Sequence, residues 1–224
     1  MPDPAADRAV PPMDRKAPTD LPHAAFGMGC FWGPDALFGA LDGVVRTCVG
    51  YAGGTTDAPT YQSIGNHIET VRVAFDPDRI SYDELLRRFW TSHNPTRAPF
   101  KRQYQPALFP TTDAQAERAR QTHQTVADRH GGALTTEIIE APPFYRAEPY
   151  HQKHTLRHHD ALMAPFEALY PDADAFTDSP AAALANGYAA GHRDPARLAE
   201  DRERLGLPAS MIDQLRTVAE RRYD

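Results

Sequence analysis

"HIETVRVAFDP", residues 67–77, is the stretch on which the fold turns. Glu69, Val71, Val73 and Phe75 fall on one face and Ile68, Thr70 and Arg72 on the other, the period of two that a strand imposes. Glu69 stands out, a carboxylate in phase with two valines and a phenylalanine. Two readings are open for it. Either it lies in the apolar layer, where desolvation raises its pKa and keeps it protonated near neutral pH, or it bends out to water at the strand end.

Outward from this strand the chain alternates. "SYDE" (81–84) is a capping box, Ser81 accepting from the Glu84 N–H while the Glu84 side chain reaches back. It opens a helix carrying Tyr82, Leu85, Leu86, Phe89 and Trp90. Upstream lie a strand in "HAAFGMG" (23–29), a helix in "PDALFGALDG" (34–43) and a strand in "VVRTCVGY" (44–51). Pro34 suits the first turn of that helix, Asp35 complements its positive end, and Gly43 stops it. Downstream, "RQYQPALF" (102–109) reads as a strand with Pro106 marking an edge or bulge. A helix from Thr112 to the glycines at 131–132 follows, then a strand in "ALTTEIIEA" (133–141). "PPFYRAEPYHQKHTLRHH" (142–159) reads as irregular chain entering a polar helix. The order strand, helix, strand, strand, helix, strand, helix, strand predicts an α+β domain over residues 23–160. Residues 1–22, rich in Pro, Asp and Ala, are expected to be a disordered or loosely attached lead-in. Residues 161–224 are expected to form a helical C-terminal extension of two short helices.

Composition sets the class. At 224 residues and 41% hydrophobic, the chain can bury one good core. A net charge of −6 argues against a nucleic-acid partner, which usually requires a basic face. No apolar run is long enough to span a bilayer, and the opening twenty residues lack an apolar leader. Two cysteines do not make a disulfide framework, so both are expected to be reduced thiols in a cytoplasmic protein without a membrane partner.

One of those cysteines sits in "GMGCFWGP" (27–34), just before a predicted helix. Unpaired N–H groups and the helix dipole favour a thiolate there, so Cys30 is a candidate nucleophile with a lowered pKa, against the plainer reading of a small buried residue. Phe31 and Trp32 offer apolar surface beside it, and Tyr61 and Tyr104 lie in or near loops. A protonated Glu69 beside a thiolate makes an acid–nucleophile pair. His151, His154, His158 and His159 have helical spacing, but Lys153 and Arg157 are interleaved. A solvated polar helix is the expectation there, and no metal ligand is assigned.

In order, "GCFWG" (29–33), "VGYAGG" (49–54), "PTY" (59–61), "HIETVRVAFDP" and "QYQPALF" (103–109) resemble the A-type peptide methionine sulfoxide reductases. "FYRAEPYHQKH" (144–154) resembles that family's FY-AE-YHQ region. The resemblance runs from Phe26 to His154. It implies a two-layer α/β sandwich with a ferredoxin-like core and thiol-dependent reduction of methionine S-sulfoxide, free or in proteins. Residue by residue, it implies that Cys30 attacks the sulfoxide sulfur and becomes a sulfenic acid, and that Phe31 and Trp32 hold the terminal methyl. Glu69 would protonate the oxygen, and Tyr61 and Tyr104 would hydrogen-bond it. It implies no bound cofactor, only an external thiol, either thioredoxin-like or of low molecular weight.

The chain departs from the family in four places. "SIGNHIE" replaces "CSGDTGHAE", "FKRQYQPA" supplies no aspartate beside the second tyrosine, "HNPT" stands for "HDPT", and the tail carries no recycling cysteine. Cys48, in a predicted strand, is not expected to resolve Cys30. A non-catalytic binder of oxidised methionine and a cysteine hydrolase using one of the histidines are the rival readings.

Overall fold

Residues 68–75 are the third strand of one six-stranded sheet, and their alternation is the one that builds the core. The computed structural model describes residues 10–140 and 142–223. Its strands are β1 (His23–Gly27), β2 (Val44–Ala52), β3 (Ile68–Phe75), β4 (Ala107–Phe109), β5 (Glu137–Ile138) and β6 (Phe144–Arg146), in the order β5-β4-β1-β3-β2-β6. All neighbours are antiparallel except β4 and β5. Helices α1 (Pro12–Arg15), α2 (Trp32–Gly39), α3 (Tyr82–Thr91), α4 (Asp113–His130) and α5 (His154–Arg157) accompany them. Then come α6 (Asp160–Leu169), α7 (Ala173–Thr177), α8 (Pro180–Ala189), α9 (Leu198–Leu205) and α10 (Ala209–Glu220).

On β3, Val71, Val73 and Phe75 join Phe26, Phe31, Phe38, Val49, Tyr51, Leu85 and Phe89 in the main apolar cluster. Ile68 faces the other way, with Ala25, Ala52, Ala107 and Phe109. Register explains the division: Val49 lies opposite Val71 and Tyr51 opposite Glu69, so like faces meet across β2 and β3. The capping box forms as read, with Glu84 N on Ser81 Oγ at 3.2 Å and Ser81 N on Glu84 Oε2 at 2.9 Å. Thr112 caps α4 through the Gln115 N–H, and Gly131 ends it in the left-handed region.

Four expected elements need correction. The run 102–109 is a strand only at its end: Arg102–Tyr104 form a 3₁₀ turn and Pro106 cannot donate a ladder hydrogen bond, so pairing starts at Ala107. Of "ALTTEIIEA" only Glu137–Ile138 pair. The edge strand β6, three residues long, is too short to show a period, and was read as irregular chain. The C-terminal region breaks into five helices beyond residue 160 rather than two, with Gly206 (φ +59°) and Pro208 separating α9 from α10.

The region after residue 160 has its own apolar cluster, centred on Leu162, Phe166, Leu184, Tyr188, Leu198 and Leu215. Every residue of α8 is buried. Its backbone comes so close to α2 that a Cβ on Gly39 would stand 2.5 Å from the Ala183 carbonyl oxygen, which is why glycine is needed there. Of the expected lead-in, residues 1–9 lie outside the described residues. The described part is docked: Asp14 accepts from the Ala181 N–H at 2.8 Å and from the Tyr170 hydroxyl, and Met13 packs on the C-terminal cluster.

Asp35 does not serve the dipole of its helix at the surface. It is fully buried, and its carboxylate accepts from Lys153 Nζ at 3.3 Å, Lys153 N at 2.9 Å, Asn186 Nδ2 at 3.4 Å and the Thr47 hydroxyl. Lys153 Nζ also donates to the Thr47 carbonyl at 2.7 Å. This pair joins α2, β2, the approach to α5, and α8. Breaking a buried pair leaves an uncompensated charge, so Lys153→Met is expected to lower unfolding stability by roughly 3–5 kcal/mol. Urea unfolding of the wild type and the variant measures it. A loss under about 1 kcal/mol would show that the ion pair does not hold the helix.

Candidate active site

The site is assembled where β1 runs into α2. Gly29 has φ +84°, a conformation that a side chain would strain, and it swings Cys30 out of the strand to an exposed position. The helix begins at Trp32, with Phe31 as its N-cap, rather than at Gly33 and Pro34. The Trp32 backbone N–H, at the start of the helix, favours the Cys30 thiolate.

Glu69 is 2% exposed and faces the helix side of the sheet with Val71, so it does not bend out to water. Its Oε2 accepts from the Phe31 N–H at 3.0 Å and its Oε1 from Gln103 Nε2 at 2.5 Å. Burial pushes the carboxyl above its usual range, and these two donors only partly offset that. The carboxyl is thus tied to the residue next to the cysteine and holds its proton more tightly than a free carboxyl does.

The expectation of a lowered Cys30 pKa is corrected. Partial burial of the sulfur raises it most, the Trp32 N–H offsets part of that, and the neighbouring Glu69 charge adds a smaller rise. The two groups are coupled: losing the proton from one makes it harder to lose from the other.

Tyr104 sits beside Glu69, Cys30 and Tyr61. Burial first, then the neighbouring Glu69, Tyr61 and Cys30 groups, push its phenol pKa upward. The structure therefore brings Cys30, Glu69, Tyr61 and Tyr104 together. A cleft of about 470 Å³ lined by Met28, Gly29, His93, Phe100 and Tyr104 opens alongside. Phe31 is 1% exposed and packs against Tyr51 and His151, so it backs the site more than it lines it. Trp32 is half-buried. Its Nε1–H donates to His151 Nδ1 at 3.2 Å, and its ring stacks on His154 at 3.4 Å between centroids.

The stretch read as a solvated polar helix is a buried brace. His151, Gln152 and Lys153 are all 2% exposed or less. Gln152 fills the sheet edge by bonding Val49 N and Val49 O, both at 2.9 Å. His151 and His154 pack against Trp32 rather than converging on a shared ligand. Glu148, which sequence reading passed over, positions the loop carrying Tyr61: it accepts from the Tyr61 N–H at 2.8 Å and the Tyr51 hydroxyl at 2.7 Å. The usable signal was the single carboxylate inside "FYRAEPYHQKH". Gln103, the direct partner of Glu69, was also missed. Cys48 lies on the opposite face of β2 from Val49 and Tyr51, 4% exposed, so the sheet stands between it and Cys30.

The arrangement groups a thiol, a buried carboxyl and two phenols, the residue types that nucleophilic attack with proton delivery to an oxygen requires. Residues 22–176 match the family described as "Peptide methionine sulfoxide reductase". The chain is 39% identical over 186 residues to "Peptide methionine sulfoxide reductase" from Drosophila melanogaster, covering 82% of this chain and 74% of that one. It is 40% identical over 169 residues to the "Mitochondrial peptide methionine sulfoxide reductase" of Mus musculus, covering 70% and 71%. The solved structure "Methionine sulfoxide reductase A of Corynebacterium diphtheriae" is similar with a TM-score of 0.58 and 34% identity, over 66% of this chain and 78% of that one. No helix among the described residues is long and apolar enough to cross a membrane.

Proposed function

The chain belongs to the peptide methionine sulfoxide reductase family, and from that premise we propose how its own residues carry the reaction. It reduces methionine sulfoxide to methionine, an activity that serves repair of oxidised protein. Cys30 attacks the sulfoxide sulfur as the thiolate, and Glu69 delivers a proton to the oxygen while Tyr61 and Tyr104 hydrogen-bond it. The sulfoxide sulfur gains two electrons and leaves as methionine. The oxygen passes to Cys30, which loses the two electrons and becomes a sulfenic acid. The observation that carries this assignment is the buried Glu69 carboxyl, tied to the Phe31 N–H beside Cys30 and biased toward its acid form.

An external thiol then attacks the sulfenic sulfur, releasing water and leaving a mixed disulfide. A second thiol displaces Cys30 and restores it. A thioredoxin-like dithiol or a low-molecular-weight thiol supplies both equivalents, and no bound cofactor is required. The Cys48 placement supports this one-cysteine cycle. The order β4-β1-β3-β2, with α2 and α3 as its crossovers, supports reading the core as ferredoxin-like. We take residues 23–160 as the catalytic unit and the helices after 160 as an extension that braces α2. Two free thiols suit a reducing compartment such as the cytoplasm.

Dithiol-driven reduction of each sulfoxide epimer tests the proposal: the S epimer is expected to yield methionine and the R epimer none. Product from neither epimer would contradict it. In the same assay Tyr61→Phe and Tyr104→Phe are each expected to slow reduction of the S epimer about tenfold, because one phenolic donor remains. A loss below about twofold in both would remove the tyrosines from the oxygen site.

A further inference from the structure

We propose that the sheet face opposite Cys30 carries a second binding site, which takes a small organic oxyanion with two or more negative charges. On that face the neighbouring strands bring Cys48 of β2 into register with Arg72 of β3, and Gly50 of β2 with Arg146 of β6. The residues between the arginines are small, so a cavity of about 350 Å³ opens over Cys48 and Ala74, walled by Arg46, Arg72 and Arg146 and flanked by His23 and Asp178.

The charges around this cavity do not balance. Arg146 is paired, to Asp174 at 2.7 Å and Asp178 at 2.8 Å. Among the described residues Arg46 makes no ion pair; it donates to the carbonyl oxygens of Pro18 at 2.7 Å and Asp178 at 3.0 Å, and Asp14 is the carboxylate that feels its charge from further off. Arg72 is half-buried and its side chain makes no ion pair or hydrogen bond among the described residues; its guanidinium lies 4.5 Å from the centre of the Phe144 ring. Of the three lining guanidinium groups only Arg146 is ion-paired among the described residues, so Arg46 and Arg72 leave the cavity positive in a chain whose net charge is −6. Two of the three keep N–H groups free for a ligand. The field is felt locally: after burial, Arg72 and Arg46 are what hold the His23 imidazole below its ordinary pKa.

Guanidinium is the side chain best suited to planar, bidentate contact with carboxylate or phosphoryl oxygens. The cavity lies at the lower end of the size range of small-molecule sites and is larger than a single inorganic ion needs. The occupant is therefore an organic phosphate or polycarboxylate, its charged groups on Arg72 and Arg46 and its carbon frame over Ala74 and Leu21. No residue of the catalytic site lines this cavity, so occupancy and catalysis are separable.

Calorimetric titration of the full chain with inorganic pyrophosphate and, separately, with citrate, at an ionic strength held constant with sodium chloride, tests the site. At least one probe is expected to bind with one-to-one stoichiometry, and the stronger of the two identifies phosphoryl or carboxylate chemistry. Arg72→Gln is expected to weaken that binding about tenfold or more, the loss of a charge-assisted contact, and Arg72→Lys to weaken it less. Unchanged methionine sulfoxide reduction by both variants shows that they are folded. No binding of either probe beyond the chloride background, or equal binding by the folded Arg72→Gln protein, would overturn the proposal.

Discussion

Replacing Cys30 by serine is expected to reduce the rate of methionine S-sulfoxide reduction by at least about three orders of magnitude, since the group removed is the proposed nucleophile. A serine hydroxyl is a weaker nucleophile and cannot take the oxygen as a sulfenic acid. The change itself is nearly isosteric and falls at an exposed position, so the fold should be preserved. Cys48→Ser, by contrast, should leave the single-turnover rate within about twofold, because the sheet separates Cys48 from the site. Epimer-resolved chromatography of the product, with dithiol as reductant, reads both variants. More than a few per cent of wild-type rate in Cys30→Ser would end the assignment of the nucleophile.

Glu69 comes next in size of effect. Loss of a positioned general acid costs about 10²–10⁴-fold, so Glu69→Ala is expected to slow the chemical step within that range, and Glu69→Gln to slow it less. The pH profile tests the role more sharply. Both pKa values are raised and the two groups are coupled, and the proposed productive pair is a Cys30 thiolate beside a protonated Glu69. Below both apparent pKa values the pair holds one proton too many. Above both it holds one too few. The single-turnover rate should therefore rise, level and fall as pH increases.

In Glu69→Gln the carboxyl no longer titrates, so the alkaline fall should vanish and the rate should follow Cys30 ionisation alone. That ionisation should also move to lower pH, because the neighbouring negative charge is gone. Stopped acid-quench measurements from pH 5 to 10 give both profiles. A Glu69→Gln profile that keeps the alkaline fall, or a loss below about threefold in both variants, would remove the acid role.

Much of this was legible because it rests on local pattern. The period of two over 68–75 located β3, and the same period placed Glu69 on the apolar side before its surroundings were known. The position of Cys30 between a strand and a helix marks it as a candidate, and its exposure sets aside the plainer reading of a small buried residue. What escaped the sequence depends on partners far along the chain. Lys153 and Asp35 are 118 residues apart, so a lysine in a run of histidines reads as a solvated charge until its partner is seen. Glu148 and Tyr61, 87 apart, hide one another in the same way. The direction of the Cys30 pKa was misjudged for a related reason. Helix-end donors are a local feature, whereas burial and the Glu69 charge come from the tertiary fold.

The most direct measurement is a single turnover with methionine S-sulfoxide and no added reductant, followed by mass spectrometry of the protein in the presence of dimedone. One methionine should form per chain, and the dimedone adduct of a sulfenic acid should map to Cys30, in wild type and Cys48→Ser alike. A Cys30–Cys48 disulfide in place of that adduct, with recycling by thioredoxin lost in Cys48→Ser, would contradict the one-cysteine account. Methionine formed without any modification of Cys30 would contradict it altogether.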